Sequence, residues 1–178
     1  MIVVSDSSPL IALAGIGKLH LLHDLFGEVF VPPAVWAEVL CEQRAGAAEV
    51  RAATWIRTVP VAADSFLMAL NRDLDAGEAE ALLLAADLNA DVVVVDERRA
   101  RSLAQYLRIP FTGTVGILLI AKERGHLAEI RPVMDEMRAR VNFRISPTLY
   151  RGALASAGEA PAQPVAVSRR TAGLWTAK

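Results

Sequence analysis

The sequence predicts an α/β fold: a three-layer sandwich whose central, mostly parallel sheet is flanked by helices. Short β-branched runs alternate with longer stretches of helical period along most of the chain, as they do where crossover helices join parallel strands. The run Val92–Val95 shows no polar alternation, which a strand buried on both faces requires. The 178 residues suit one domain with a substantial core. With 53% apolar and 22% charged residues, the chain lies far from the disordered class.

Each element has its own signal. "MIVVSD" is the first strand, halted by the cap and turn formers Asp6, Ser7, Ser8 and Pro9. Two short helices fit residues 9–26, where Leu10, Leu13 and Ala14, then Leu19, Leu22 and Phe26, fall at helical spacing around a break at Gly15 and Gly17. "EVFVP" is a second strand, and "PPAVWAEVLCEQ" a helix that tolerates Pro33 in its first turn. The helical "GAAEVRAAT" precedes the apolar stretch "WIRTVPV", the segment "DSFLMAL" follows, and "LDAGEAEALLLAADLNA" is the clearest helix. Strand "DVVVV", helix "ERRARSLAQYL", strand "IPFTG" and helix "VGILLIAKERG" continue the alternation. A longer helix, "LAEIRPVMDEMRARV", is begun or bent by Pro132. The predicted domain spans residues 1–152. From Ala153 the texture turns to Ala, Pro and Ser without a period, so 153–178 read as a C-terminal tail, in which Leu174 and Trp175 either dock on a partner or belong to an unstructured end.

A formal charge of −1 leaves any nucleic-acid contact to local clusters of arginine. The single cysteine, Cys41, allows neither an internal disulfide nor a thiolate metal site. "MIVVSDSS" lacks the regions of a signal peptide, and "VGILLIA" is closed by Lys122, Glu123 and Arg124 well short of the roughly 20 residues that span a bilayer. A cytoplasmic protein without membrane contact is expected.

Open α/β sheets gather ligands beyond the carboxyl ends of their strands. Asp6 ends the first strand and Asp96 follows "DVVVV", so two carboxylates meet there if those strands are neighbours. Glu38 in "AVWAEVL" and Glu78 in "DAGEAEAL" can join them in an oxygen-only cage. Clustered carboxylates repel unless protons or a cation compensate, and oxygen ligands without Cys or His suit Mg²⁺ or Mn²⁺. Such ions activate water and stabilise a leaving oxygen in phosphodiester hydrolysis.

Each acid also has a plainer role. Asp6 can cap the helix after it, and Asp96 can cap "ERRARSLAQYL". Asp75 and Glu78 have the spacing of a capping box, Glu38 alone is a solvated helix acid, and Glu97 suits a helix start.

Four stretches in order resemble the PIN-domain superfamily over roughly residues 1–150: Val3–Ala14 with Asp6, "VPPAVWAEVL", "LDAGEAEALLLA" and "DVVVVDERRARSLAQYLRIPFTGTVGILLIAKERG". This is the Mg²⁺-dependent nuclease fold that includes the VapC-type toxic ribonucleases. The chain most resembles a subgroup described as predicted nucleic-acid-binding PIN proteins. The resemblance implies a ribonuclease whose metal-binding acids are Asp6, Glu38, Glu78 and Asp96. It also implies an RNA substrate, a small antitoxin laid across the site, and a homodimer. Many PIN nucleases carry a further acid or amide just after the last aspartate, whereas this chain has Arg98, Arg99, Ala100 and Arg101 there. Glu97 is the candidate substitute as an outer ligand.

Arg98, Arg99 and Arg101 are candidate RNA-phosphate contacts, since guanidinium forks match phosphate oxygens; a solvated helix face is the alternative, and Arg101 can also bridge the acids. Thr112 and Thr114 end the last strand, where the resemblance implies a hydroxyl near the metal and spacing alone implies a helix cap. His20 and His23 carry no assigned role. The helices around "WIRTVPV" can supply partner surfaces or simply pack in the core. Three classes thus stand: a metal-dependent endoribonuclease, a PIN module that binds nucleic acid or a partner without cleaving, and another acid-site α/β protein. The last fits poorly, because a dehalogenase-like phosphatase needs an aspartate two residues after the first and Asp6 is followed by Ser7 and Ser8.

Overall fold

The computed structural model describes residues 1–41, 46–62, 68, 70, 72 and 74–159. Its centre is a five-stranded sheet in the order β3-β2-β1-β4-β5, built from β1 (Val3–Ser5), β2 (Val29–Val31), β3 (Ile56–Thr58), β4 (Val92–Val94) and β5 (Phe111–Thr112). Every pairing is parallel. The sheet runs outward one way through β2 and β3 and the other way through β5, so the direction of winding reverses between β1 and β4. Those two strands are neighbours, with Val3, Val4 and Ser5 opposite Val92, Val93 and Val94. A crevice opens beyond the carboxyl ends of the strands where the winding reverses.

Helices flank the sheet in a three-layer sandwich: α1 (Ser7–Ala14), α2 (His20–Phe26), α3 (Pro33–Val39), α4 (Ala47–Ala52), α5 (Ala76–Asp87), α6 (Arg98–Tyr106), α7 (Thr114–Glu123), α8 (Arg131–Arg140) and α9 (Pro147–Ser156). Val3, Val4, Val93, Val94 and Val95 have no exposed surface, which explains the unbroken apolar composition of the central strands. Helix α5 packs against β1, β4 and α3, so its first turn lies close to both central strands. Pro132 occupies the first turn of α8 and begins the helix rather than bending it.

The expected boundary at residue 152 needs correction. Helix α9 runs through it to Ser156, and Ala153 and Leu154 are buried. Alanine-rich sequence is as good a helix former as it is a tail, so the change in composition does not mark the end of the packed structure. Residues 160–178, with Leu174 and Trp175, lie outside the described residues, as does most of "DSFLMAL".

Two clasps hold α9 in place. At its start, Ser146 accepts a capping hydrogen bond from the Leu149 N–H at 3.1 Å, and the Tyr150 hydroxyl donates to Asp135 on α8 at 2.8 Å. At its end, Glu159 accepts from the Ile130 and Arg131 N–H groups at 2.7 and 3.0 Å and from Lys122 Nζ at 2.8 Å. Burial raises the Glu159 pKa, but the Lys122 and backbone donors outweigh it and hold the carboxyl below its ordinary range. These bonds also satisfy two N–H groups at the start of α8 that the helix itself cannot.

Candidate functional site

Asp6 leaves β1 in an extended conformation, and its N–H donates to the Val94 carbonyl at 3.0 Å, locking it beside the end of β4. It sits at the N-cap position of α1, yet its side chain makes no capping hydrogen bond. The side chain is 2% exposed, and Oδ1 has no hydrogen-bond partner. A buried carboxylate oxygen in that state is costly unless something else compensates it. Burial pushes the Asp6 pKa up to about 7; the Ser7 backbone opposes the rise, and the charges of Asp75, Glu78 and Glu38 add to it.

Glu78 reaches the same region from the first turn of α5. The capping box is formed: the Glu78 N–H donates to Asp75 Oδ1 at 2.8 Å and the Asp75 N–H to Glu78 Oε2 at 3.3 Å. Burial and the Asp75 charge push the Glu78 pKa up to about 7. A Cβ added at Gly77 would stand 3.4 Å from both Asp6 Oδ1 and Asp75 Oδ1. That is ordinary van der Waals distance, so the start of α5, with its two acids, lies against Asp6 without requiring glycine there. Glu38 lies half-buried on α3, within electrostatic reach of Asp6.

Asp96 follows β4 but does not cap α6; that cap position belongs to Glu97, whose side chain makes no capping bond. Asp96 is held instead by Thr114, whose N–H donates to Oδ1 at 2.8 Å and whose hydroxyl donates to Oδ2 at 2.5 Å. Burial raises the Asp96 pKa, and these two bonds and the charge of Arg101 partly offset the rise.

A cleft of about 450 Å³ receives Asp75, Glu78, Asp96 and Glu97, with α1 on one side and the segment Val141–Arg144 on the other. Among the described residues, no group of three His, Cys, Asp or Glu side chains is gathered to hold a metal ion. The reason is visible in the bonding: Asp96 is turned onto Thr114, and Glu78 onto the Asp75 N–H. The donor set still fits a hard divalent cation. Mg²⁺ binds through one or two carboxylates and keeps several waters, and Asp6 Oδ1 is a buried oxygen without a partner among like charges.

The arginines divide. Arg101 stacks over the Phe111 ring at 5.4 Å and acts electrostatically on Asp96. Arg98 and Arg99 are exposed and line a separate groove with Leu74, Ser102, Leu103 and Tyr106, although the Arg99 charge reaches Glu78. Thr112 is half-buried, with its hydroxyl where a Cβ on Gly116 would fall, while Thr114 is fully buried on Asp96. His23 stacks on Trp55 at 5.3 Å, away from the acids. Sequence reasoning missed Asp75 as a member of the acid group, although its spacing to Glu78 was visible. It also missed Asn142, Phe143 and Arg144, which lie on a loop without periodic signal.

The comparison that decides the family covers nearly all of this structure: a family model described as a PIN domain matches residues 2–159. The chain belongs to the PIN-domain family. PIN domains are generally nucleases that act on nucleic acid and typically use divalent metals, and the all-parallel sheet with helices on its faces is the PIN-like sandwich. No curated protein and no solved structure matches this PIN domain. Among the described residues, no helix is long and apolar enough to cross a membrane.

Proposed function

We propose that this PIN domain is a Mg²⁺- or Mn²⁺-dependent endoribonuclease in which Asp6, Glu38, Glu78 and Asp96 are the working acids, and that it is the toxin of a toxin–antitoxin pair. The observation that carries the reading is Asp6 Oδ1, a buried carboxylate oxygen without a hydrogen-bond partner, raised in pKa beside three further acids. A group of this kind is compensated by a cation or by protons. Asp6 and Glu78, with Asp75 beside them, would hold the ion; Glu78, Asp75, Asp96 and Glu97 line the acid cleft, while Asp6 is buried and does not line it. When bound, such an ion activates water and stabilises the leaving oxygen of a phosphodiester.

The chain's own residues do the rest. Thr114 fixes the orientation of Asp96, so that this carboxylate presents a constant face to the cleft. Arg101 and Arg144 bring positive charge to the edge of an acidic site, where an RNA phosphate would otherwise be repelled. A small antitoxin covering the cleft and a homodimer are part of the same reading; a short reading frame beside the gene, encoding a protein that silences the activity, is its genetic counterpart.

A second reading is a PIN module that binds nucleic acid or a partner but cleaves weakly or not at all. Both oxygens of Asp96 accept hydrogen bonds from Thr114, and residues 98–101 contain no acid, which favour it. Purified protein incubated with single-stranded and structured RNAs separates the two. The nuclease reading expects cleavage with Mg²⁺ or Mn²⁺ that is lost in Asp6→Asn and Asp96→Asn. RNA retained uncut, with or without metal and unaffected by either substitution, supports the binding module.

A further inference from the structure

A second cleft of about 440 Å³ adjoins the acid cleft and shares Asp96, Phe143 and Arg144 with it. Its walls differ in character. Phe111, Val115, Leu119 and Leu149 make it largely apolar, with Arg101 stacked on Phe111 and Arg144 at the junction. Helix α9 forms one side and is clasped at both ends, so the space is preformed.

Three glycines line this cleft, and two have packing reasons to be glycine. A Cβ on Gly113 would fall 2.7 Å from Asp96 Oδ1, and one on Gly116 would fall 2.2 Å from Thr112 Oγ1. Gly152 has none. It lies inside α9, its φ is not left-handed, and an added Cβ would meet nothing within 4 Å. Glycine destabilises a helix interior relative to alanine, so neither folding nor packing explains it. Gly152 is exposed and lines the cleft, so a side chain there would extend into open space at the cleft's rim.

We infer that the second cleft is a nucleobase subsite: it takes one unstacked base of a single-stranded RNA whose neighbouring phosphate lies in the acid cleft. The inference rests on the reading of the acid cleft as the seat of that phosphate. A polynucleotide alternates charged phosphates with flat apolar bases, and the two joined clefts alternate in the same way. Phe143, at the junction, is placed to stack on the base, and Arg144 to meet the phosphate between the clefts. Asn142, with a φ of 52°, supplies the left-handed turn immediately before them. The segment is anchored because Val141 Cγ1 lies only 2.3 Å from where a Cβ on Gly15 would stand, a contact only glycine permits. A duplex cannot enter, because its bases are stacked and paired.

The test is equilibrium binding of the full chain, in EDTA, to a short single-stranded RNA carrying the fluorescent base 2-aminopurine and to the same RNA in a duplex. Single strand should bind at least about tenfold more tightly than duplex. Gly152→Leu should keep or raise the thermal midpoint while weakening single-strand binding about tenfold, and Phe143→Ala should abolish the fluorescence change on binding. Equal affinity for duplex, or unchanged single-strand binding by a folded Gly152→Leu, overturns the subsite. Cleavage is read separately: a binding pattern as described without cleavage in Mg²⁺ or Mn²⁺ removes the nuclease reading and leaves the subsite standing.

Discussion

Thr114 donates to both carboxylate oxygens of Asp96, through its N–H to Oδ1 at 2.8 Å and through its hydroxyl to Oδ2 at 2.5 Å. One residue at the start of α7 thereby sets the orientation of the acid that follows β4. Thr114→Val keeps the shape and removes the hydroxyl, leaving a largely buried oxygen without its donor. A loss of about 1–3 kcal/mol in stability is expected by chemical denaturation. Thr114→Ser, which keeps the hydroxyl, should recover most of it; an unchanged Thr114→Val beside a destabilised Thr114→Ser would show that the methyl contact, not the hydroxyl, matters.

Gly113 touches the same carboxylate. Its φ of −123° suits any residue, so the barrier to substitution is steric, with a Cβ 2.7 Å from Asp96 Oδ1. Gly113→Ala should cost about 1–3 kcal/mol and reduce RNA cleavage, because Asp96 must move. Gly152→Ala, which meets open space, should leave stability equal or higher in the same assay.

The pKa values of Asp6 and Glu78 rise from 3.8 and 4.5 to about 7 on folding. The folded state therefore holds these protons more tightly than the unfolded chain, and stability falls as pH rises from about 4 to about 7. Without divalent metal, the thermal midpoint should decline through that window. Asp6→Asn should flatten the decline and raise metal-free stability at pH 8 by on the order of a few kcal/mol. A variant less stable than the wild type at pH 8 without metal would mean that Asp6 is not a destabilised carboxylate.

Glu159 joins Lys122 to the start of α8 through three hydrogen bonds. Glu159→Ala should speed hydrogen exchange of the α9 amides and cost about 1–3 kcal/mol. Since its pKa is lowered on folding, its contribution is present above the ordinary glutamate range and is lost as pH falls through the folded value. Exchange in α9 unchanged by the substitution would show that other contacts hold the helix.

Much of this was legible in the sequence for a simple reason: a central parallel strand must be apolar on both faces, and whatever follows it lies at the functional edge. The valines before Asp96 and the short "IVVS" before Asp6 carry that signal, and the pairing of β1 with β4 brings both acids to the carboxyl ends of neighbouring strands. The Asp75–Glu78 capping box was legible from its spacing. Other bonding partners were not: neither spacing nor composition could reveal that Thr114 engages both oxygens of Asp96, or that Asp6 would be left without a cap bond. Arg98 and Arg99 follow Asp96 closely in sequence, yet the turn into α6 directs them to another groove. The α8–α9 loop and the run of helix past Ala153 were hidden because a loop has no period and alanine suits tail and helix alike.

The central claim is that Asp6 is the seat of a divalent cation, and calorimetric titration of the metal-free chain with Mn²⁺ at pH 8 tests it most directly. Saturable binding by the wild type, lost or weakened at least about tenfold in a folded Asp6→Asn and fading as pH falls below about 7, is the expected result. Equal binding by Asp6→Asn, or no binding by the wild type, would contradict it.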